Sequence, residues 1–215
     1  MKISLMITAG GIGKRFGGKK PKQFSLIQNQ SIVEMALSVF SDGLFEECIV
    51  TSPKAFMDET KAHISRVKCG FSCEVVEGGK TRAESVQCAF KALTKPCDAV
   101  LIHDAVRPYV TKEVIQHVIE GLKNHNVVIP GIPVTDTIKR ISNENRVVET
   151  LNRDELIAVQ TPQGIHCDVL AKAYNRLGLK LGLFTDEASL LESLDQAVYV
   201  VEGDRANVKV TYETK

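Results

Sequence analysis

The stretch Thr8-Ala9-Gly10-Gly11-Ile12-Gly13-Lys14-Arg15-Phe16, with Pro21-Lys22-Gln23 behind it, holds the residues best suited to chemistry. It follows the apolar run 3–7, which reads as a buried strand. Glycines let a backbone approach a ligand closely and turn its N–H groups toward phosphate oxygens. Lys14, Arg15, Lys19, Lys20 and Lys22 crowd the same stretch, with no acid among them. A glycine turn joined to these cations points to binding and chemistry on a polyphosphate. Two better-known phosphate motifs do not fit. The dinucleotide fingerprint aligns on Gly11 and Gly13 but meets Phe16 at its last glycine. The Walker pattern aligns on Gly13, Gly18 and Lys19, but Lys20 replaces the hydroxyl residue that binds magnesium.

Two further constellations follow strands. His103-Asp104-Ala105-Val106-Arg107-Pro108 places an acid at a strand's carboxyl end with an arginine three residues on. Asp104 suits contact with a magnesium ion or a hydroxyl, and Arg107 a bidentate grip on a phosphate. The alternative is a local Asp104–Arg107 ion pair that tightens a turn. His103 is expected to point into the sheet or pair locally rather than act as a base. Gly78-Gly79-Lys80-Thr81-Arg82-Ala83-Glu84-Ser85 is a second strand–glycine–helix turn. Its backbone can meet a nucleobase, with Ser85 adding a polar contact; ordinary helix initiation is the alternative.

The elements that must position these residues alternate along the chain. Strands are expected at 3–8, 48–51, 73–76, 99–103 and 127–130. Between them, Ser31 with Glu34 and Thr81 with Glu84 fit the capping box. Ser52-Pro53 offers a cap with proline at the first helical position, and Thr111 caps a helix to about Leu122. This rhythm implies an α/β fold: a mostly parallel sheet with helices on both faces, binding ligands beyond the carboxyl ends of its strands. The rhythm breaks after Pro133. Segments 137–141 and 146–151 read as strands joined by Ser142-Asn-Glu-Asn145, a hairpin arm within 134–160. An isolated two-stranded arm is marginal in water, so a second subunit is the expected cover and a homodimer the expected assembly. A longer, self-packed excursion of the sheet is the alternative. A helix is expected from Thr185 to about Leu194, with Asp186 and Glu187 in its first turn, then strands near 197–201 and 208–210.

The chain of 215 residues fits one domain, 1–215, and its apolar fraction of 44% suffices for a core. A net charge of +1 argues against nucleic acid or a membrane surface as partner. No apolar run is long enough to span a bilayer, and the start leads directly into a strand, so a cytoplasmic protein is expected. The six cysteines are scattered; most lie in apolar surroundings and are expected to act as small buried thiols rather than as zinc ligands or a disulfide framework.

Eight motifs occur in order over nearly the whole chain: Ala9 to Arg15, Pro21-Lys-Gln23, Gly78 to Val86, His103 to Pro108, Asp136-Thr-Ile-Lys139, Thr161-Pro-Gln163, Thr185 to Ser189, and Asn207-Val-Lys-Val-Thr211. Together they resemble the 2-C-methyl-D-erythritol 4-phosphate cytidylyltransferase family of the non-mevalonate isoprenoid pathway. The resemblance implies a Rossmann-like nucleotidyltransferase with a dimerising β-arm, acting on CTP and a small sugar-alcohol phosphate with Mg2+. It further implies that Ala9, Gly10, Gly11, Gly13, Gly79 and Ser85 contact CTP, with Asp104 and Lys209 completing substrate and phosphate binding. Arg15 and Lys22 would flank the triphosphate as the catalytic cations. Arg107 and Thr185 would hold the acceptor, and Thr137 and Arg153 would reach it from the partner's arm. Asp104 is also the expected metal contact.

The chain departs from the pattern in three places. Gly10 stands where these enzymes usually carry a second alanine; Ala-Gly-Gly is more typical of ribitol-5-phosphate cytidylyltransferases. Lys80 replaces an acid found in some members. The sequence reaches Lys215 where the family usually continues into a helix. The competing readings are therefore a ribitol-5-phosphate cytidylyltransferase, against which 136–139 and 185–189 speak, and a non-catalytic nucleotide-binding protein, which should have lost one of Arg15, Lys22, Asp104 or Lys209. A dinucleotide-dependent oxidoreductase lacks the last fingerprint glycine and the acidic ribose ligand.

Overall fold

The computed structural model describes residues 1–11, 21–177 and 184–211. Strand β1 (Ile3–Thr8) is buried over almost its whole length. Its Ile3, Leu5 and Ile7 enter one apolar cluster and its Met6 another. Successive side chains leave a strand on opposite faces, so a strand of this composition needs cover on both.

The chain then forms a short ribbon, β2 (Leu26–Ile27) and β3 (Gln30–Ser31), and helix α1 (Ile32–Ser38), whose Ser31–Glu34 capping box is present. Next come β4 (Glu47–Ser52), α2 (Met57–Ile64), β5 (Ser72–Glu77), α3 (Arg82–Lys91) and β6 (Ala99–Asp104). Then follow α4 (Lys112–Gly121), β7 (Val127–Pro133), the hairpin strands β8 (Lys139–Ile141) and β9 (Val147–Thr150), and β10 (Ile157–Val159). The described chain ends with β11 (Gln163–His166), α5 (Cys167–Leu177), α6 (Glu187–Glu192) and β12 (Tyr199–Glu202).

Strand β1 lies between β4 and β6, parallel to both, and β5 extends the sheet parallel to β4. On the other side β11 runs antiparallel to β6 and to β7. Strand β12 is parallel to β7, and β10 antiparallel to it. The sheet is therefore mostly parallel, as expected. Val33 and Leu37 of α1, Ile64 of α2, and Val114, Ile115 and Val118 of α4 cover one face. Ala83, Val86 and Ala89 of α3, Leu170 and Ala173 of α5, and Leu190 and Leu191 of α6 cover the other. Among the described residues no helix is long and apolar enough to cross a membrane.

Several local expectations shift. Ser52 does not start a helix: it ends β4, and its hydroxyl pairs with Thr60 Oγ1 at 2.7 Å. A 3-10 turn, Lys54–Phe56, follows Pro53 before α2 begins at Met57. Asp186 is not inside α6 but caps it, accepting from the Ser189 N–H at 2.9 Å. Residues 208–210 form no strand; Val210 N–H makes one bond, to the Val106 carbonyl, at 2.9 Å. Of the cysteines only Cys48 is fully buried, the other five being half-buried.

The hairpin β8–β9 forms a separate two-stranded sheet on which every residue is exposed. Its turn places Asn145 at a φ of 58°, a left-handed conformation that asparagine tolerates. Strand β10 then rejoins the main sheet.

Candidate active site

The carboxyl ends of β1, β4, β5 and β6 lie along one edge of the sheet, since all four strands run parallel. Ala9 follows β1, and its N–H donates to the Thr51 carbonyl at 3.1 Å while its own carbonyl accepts from Gln23 Nε2 at 2.6 Å. Gly10 packs so closely on α3 that a Cβ there would come 2.9 Å from Ser85 Oγ. A Cβ on Gly78 would meet the same oxygen at 2.9 Å. Ser85 is thus held between the two glycine turns, and its hydroxyl donates to the Thr81 carbonyl at 2.9 Å. At Gly79 a Cβ would lie 2.3 Å from Glu84 Cβ, so the capping box that starts α3 requires glycine at this position. Gly11 faces open space. Gly13 and Arg15 lie outside the described residues.

Asp104, the last residue of β6, is the centre of the arrangement. Its Oδ2 accepts from Lys209 Nζ at 2.6 Å, and its Oδ1 from Arg82 Nε at 2.9 Å and Thr8 Oγ1 at 3.2 Å. Arg82 Nη1 in turn lies 2.5 Å from Oε2 of Glu187, whose side chain is fully buried. Burial alone would raise the Asp104 carboxyl, but the charges of Arg82 and Lys209 outweigh it and hold the group well below the usual carboxylate range. For Glu187 burial prevails and pushes its carboxyl up against the pull of Arg82. Both oxygens of Asp104 are thus occupied by donors, two of them cationic. A metal ion there would have to displace a cation, so the donor set does not fit the expected metal contact.

Lys209 is placed by its neighbours in the chain. Asn207, fully buried, donates from Nδ2 to the Thr161 carbonyl at 2.9 Å and accepts on its own carbonyl from Arg107 Nη1 at 2.7 Å. Lys22 Nζ donates to the Val210 carbonyl at 2.9 Å. The turn at Lys22, the end of β6 and the 207–211 segment are thereby tied together. Arg107 does not pair with Asp104: its guanidinium also reaches the Val159 carbonyl at 3.4 Å and so braces β10 and the 207–211 segment.

His103 is fully buried, with Nε2 3.1 Å from the Arg107 carbonyl and Nδ1 3.0 Å from Thr161 Oγ1. A carbonyl can only accept, so Nε2 carries the hydrogen and Nδ1 accepts from the threonine hydroxyl. That hydroxyl also accepts from the Asp104 N–H at 3.2 Å. Burial lowers the imidazole to about 4, which keeps it neutral and excludes it as a proton acceptor exposed to substrate.

The remaining expected residues lie apart from this cluster. Thr137 and Arg153 are exposed at the base of the arm, where Arg153 Nη1 donates to the Thr135 carbonyl at 2.8 Å. Thr185 is exposed just before the cap of α6. Arg82, Glu187 and Thr161 had been given no role. All three lie inside recurring motifs, but their partners are distant in sequence: Arg82 and Glu187 are separated by 105 residues.

Comparison with known proteins gives one consistent result. The profile of the family described as "2-C-methyl-D-erythritol 4-phosphate cytidylyltransferase" matches residues 3–215. A protein of that name from Alkaliphilus oremlandii is 38% identical over 214 residues, covering 98% of this chain and 90% of its own. One from Clostridium perfringens is 36% identical over 212 residues, covering 98% and 93%. Among solved structures, the 4-diphosphocytidyl-2C-methyl-D-erythritol synthase of Anaerococcus prevotii superposes with a TM-score of 0.84 at 29% identity, covering 98% of this chain and 92% of that one. The 2-C-methyl-D-erythritol 4-phosphate cytidylyltransferase of Francisella tularensis gives 0.81 at 30% identity, with 98% and 94% covered.

Proposed function

Since this chain belongs to the 2-C-methyl-D-erythritol 4-phosphate cytidylyltransferase family, we propose that it transfers the cytidylyl group of CTP to 2-C-methyl-D-erythritol 4-phosphate, a step of isoprenoid synthesis. The observation that carries the site assignment is the Lys209–Asp104–Arg82 cluster at the carboxyl end of β6, bonded through Val210 to Lys22 of the glycine loop.

A phosphate oxygen of the acceptor attacks the α-phosphorus of CTP; a new P–O bond forms, the bond to the bridging oxygen breaks, and pyrophosphate leaves. The nucleophile is already an anion at neutral pH, so no general base is needed. The barrier lies in bringing two anions together and in the charge on the pentacoordinate transition state. Lys22 and Arg15 offset both by aimed positive charge. The backbone of Ala9, Gly10, Gly11, Gly13 and Gly79, with Ser85, holds the nucleotide. Asp104 and Lys209 hold the acceptor and its phosphate, Thr185 lines that side, and Arg107 keeps the Lys209 segment in place. Mg2+ bound with the triphosphate would supply charge neutralisation; Asp104, with both oxygens taken by donors, does not fit as its ligand.

Thr137 and Arg153 complete the acceptor site of a second copy. Ile141, Val147 and Val148 are all more than half exposed on an arm with no core of its own, which supports a homodimer. The six cysteines are free thiols, and CTP belongs to the intracellular nucleotide pool; both support a cytoplasmic location.

Gly10 does not favour ribitol 5-phosphate. Its contact is with Ser85 on the nucleotide side, so the glycine reports packing between two loops rather than acceptor choice. The test is pyrophosphate release with CTP and Mg2+, comparing the two acceptors. Turnover with methylerythritol phosphate alone is expected. Turnover with ribitol 5-phosphate alone would keep the chemistry and overturn the substrate; CTP binding without release would favour the non-catalytic reading.

A further inference from the structure

Arg82 is the least expected member of the cluster. It stands in the first turn of α3, behind the Thr81–Glu84 capping box, yet its side chain leaves its own helix. Nε meets Asp104 on β6 at 2.9 Å, and Nη1 meets Glu187 at the start of α6 at 2.5 Å. The three side chains are 21%, 7% and 0% exposed. The line continues from Asp104 Oδ2 to Lys209. It therefore runs Glu187–Arg82–Asp104–Lys209 across α6, α3, β6 and the 207–211 segment, with carboxylate and cation alternating.

A guanidinium is planar and presents its donors in a fixed fork, so it orients a carboxylate as well as neutralising it. Here one edge of the fork takes Asp104 Oδ1, which turns Oδ2 toward Lys209. Glu187 holds the opposite side of the fork through Oε2, and its Oε1 is buried without a hydrogen-bond partner among the described residues. Nε and Nη1 are taken by the two acids, and the third nitrogen, Nη2, is buried without a hydrogen-bond partner among the described residues.

We propose that Arg82, anchored from behind by Glu187, is a positioning residue that sets the Asp104 carboxylate and, through it, the Lys209 ammonium for acceptor binding. This rests on the function proposed above. The rival explanation is that Arg82 serves only to neutralise Glu187 in the core.

Arg82→Met, Glu187→Met and the double variant separate the two. Arg82→Met leaves the buried Glu187 without its partner, Glu187→Met leaves Arg82 with Asp104 alone, and each is expected to lower Tm. The double variant removes both charges of that pair, leaves Asp104 and Lys209 unsubstituted, and is expected to recover Tm. If Arg82 positions Asp104, the double variant still shows an acceptor KM raised by roughly tenfold or more, with CTP affinity within about twofold of wild type. An acceptor KM restored to the wild-type value along with Tm would overturn the proposal. Arg82→Lys keeps the charge but not the fork. It is expected to raise the acceptor KM while folding normally, and it serves if the methionine variants do not fold; wild-type kinetics in Arg82→Lys would likewise overturn the proposal.

A crystal structure of the double variant or of Arg82→Lys reads the placement independently of turnover. A displaced Asp104 carboxylate and Lys209 Nζ would support positioning, and an unchanged pair would overturn it. Wild-type protein inactive with both acceptors would overturn the proposed function alone, and the structure would still decide the role of Arg82.

Discussion

Lys209 Nζ and Asp104 Oδ2 lie 2.6 Å apart although 105 residues separate them in the chain. The pair is asymmetric: the carboxylate side chain is 7% exposed and the ammonium side chain 41%. The acid is therefore the anchored member and the lysine the one that can turn toward a ligand. Replacing Asp104 by Asn leaves Arg82 and Lys209 facing a neutral amide, and breaking a buried pair in this way costs about 3–5 kcal/mol. The pH dependence has a definite sign. The carboxyl is depressed in the folded state, so its contribution is present above the unfolded value and is lost as pH falls toward the folded one. Urea unfolding of Asp104→Asn should show a large deficit at neutral pH that narrows in acid; a pH-independent deficit would contradict the pairing.

His103 gives a second linkage in a different window. Its folded value of about 4 lies below the ordinary 6.5 of an imidazole, so the unfolded chain takes up a proton first as pH drops. Stability from this residue is complete above 6.5 and declines between 6.5 and 4, by up to about 3 kcal/mol. His103→Gln, which keeps an acceptor and a donor for Thr161 and the Arg107 carbonyl, should flatten that part of the stability profile. Comparison of unfolding at pH 7 and pH 5 in both proteins measures it.

Lys22 is assigned to the transition state. Lys22→Ala is expected to lose roughly 10²-fold or more in kcat with little change in acceptor KM. Because Lys22 also holds the Val210 carbonyl, Tm should be recorded alongside. A variant with near-normal kcat would remove Lys22 from the catalytic set.

Arg153 stands on the arm and is held there by the Thr135 carbonyl. Arg153→Ala should weaken acceptor binding while leaving CTP affinity almost intact, as seen by separate titrations of the two ligands. Equal loss of both would place the residue elsewhere.

The arm itself makes a prediction about assembly. Val148 is 58% exposed in a two-stranded sheet with no core beneath it. Val148→Lys should shift a dimer toward monomer in analytical ultracentrifugation and reduce acceptor turnover with it. A monomeric wild type would overturn the assembly.

The parallel half of the fold was legible because its signals are local. The runs at β1, β4, β6 and β7 are largely apolar, and two capping boxes mark α1 and α3 within four residues each. Strand β11 was not legible: Gln163-Gly164-Ile165-His166 has no strand pattern of its own and becomes a strand by lying between β6 and β7. The reverse holds at 208–210, where an apolar alternation finds no ladder to join. The site divided in the same way. Glycine turns and motif cations announce themselves, whereas Arg82 and Glu187 look like ordinary residues of a helix start until the fold brings them together. Arg107 shows how little nearness in sequence fixes a partner, since an arginine three residues from Asp104 reaches two distant backbone carbonyls.

Lys2 and Lys209 lie at opposite ends of β6. Met1 is exposed, and the Lys2 N–H is bonded to Asp98 just before β6, at the edge away from the site. Lys209 meets Asp104 at the other end of that strand, in the proposed site. A fusion partner or affinity handle placed ahead of Met1 therefore clears the proposed reaction centre, which lies at the far end of β6.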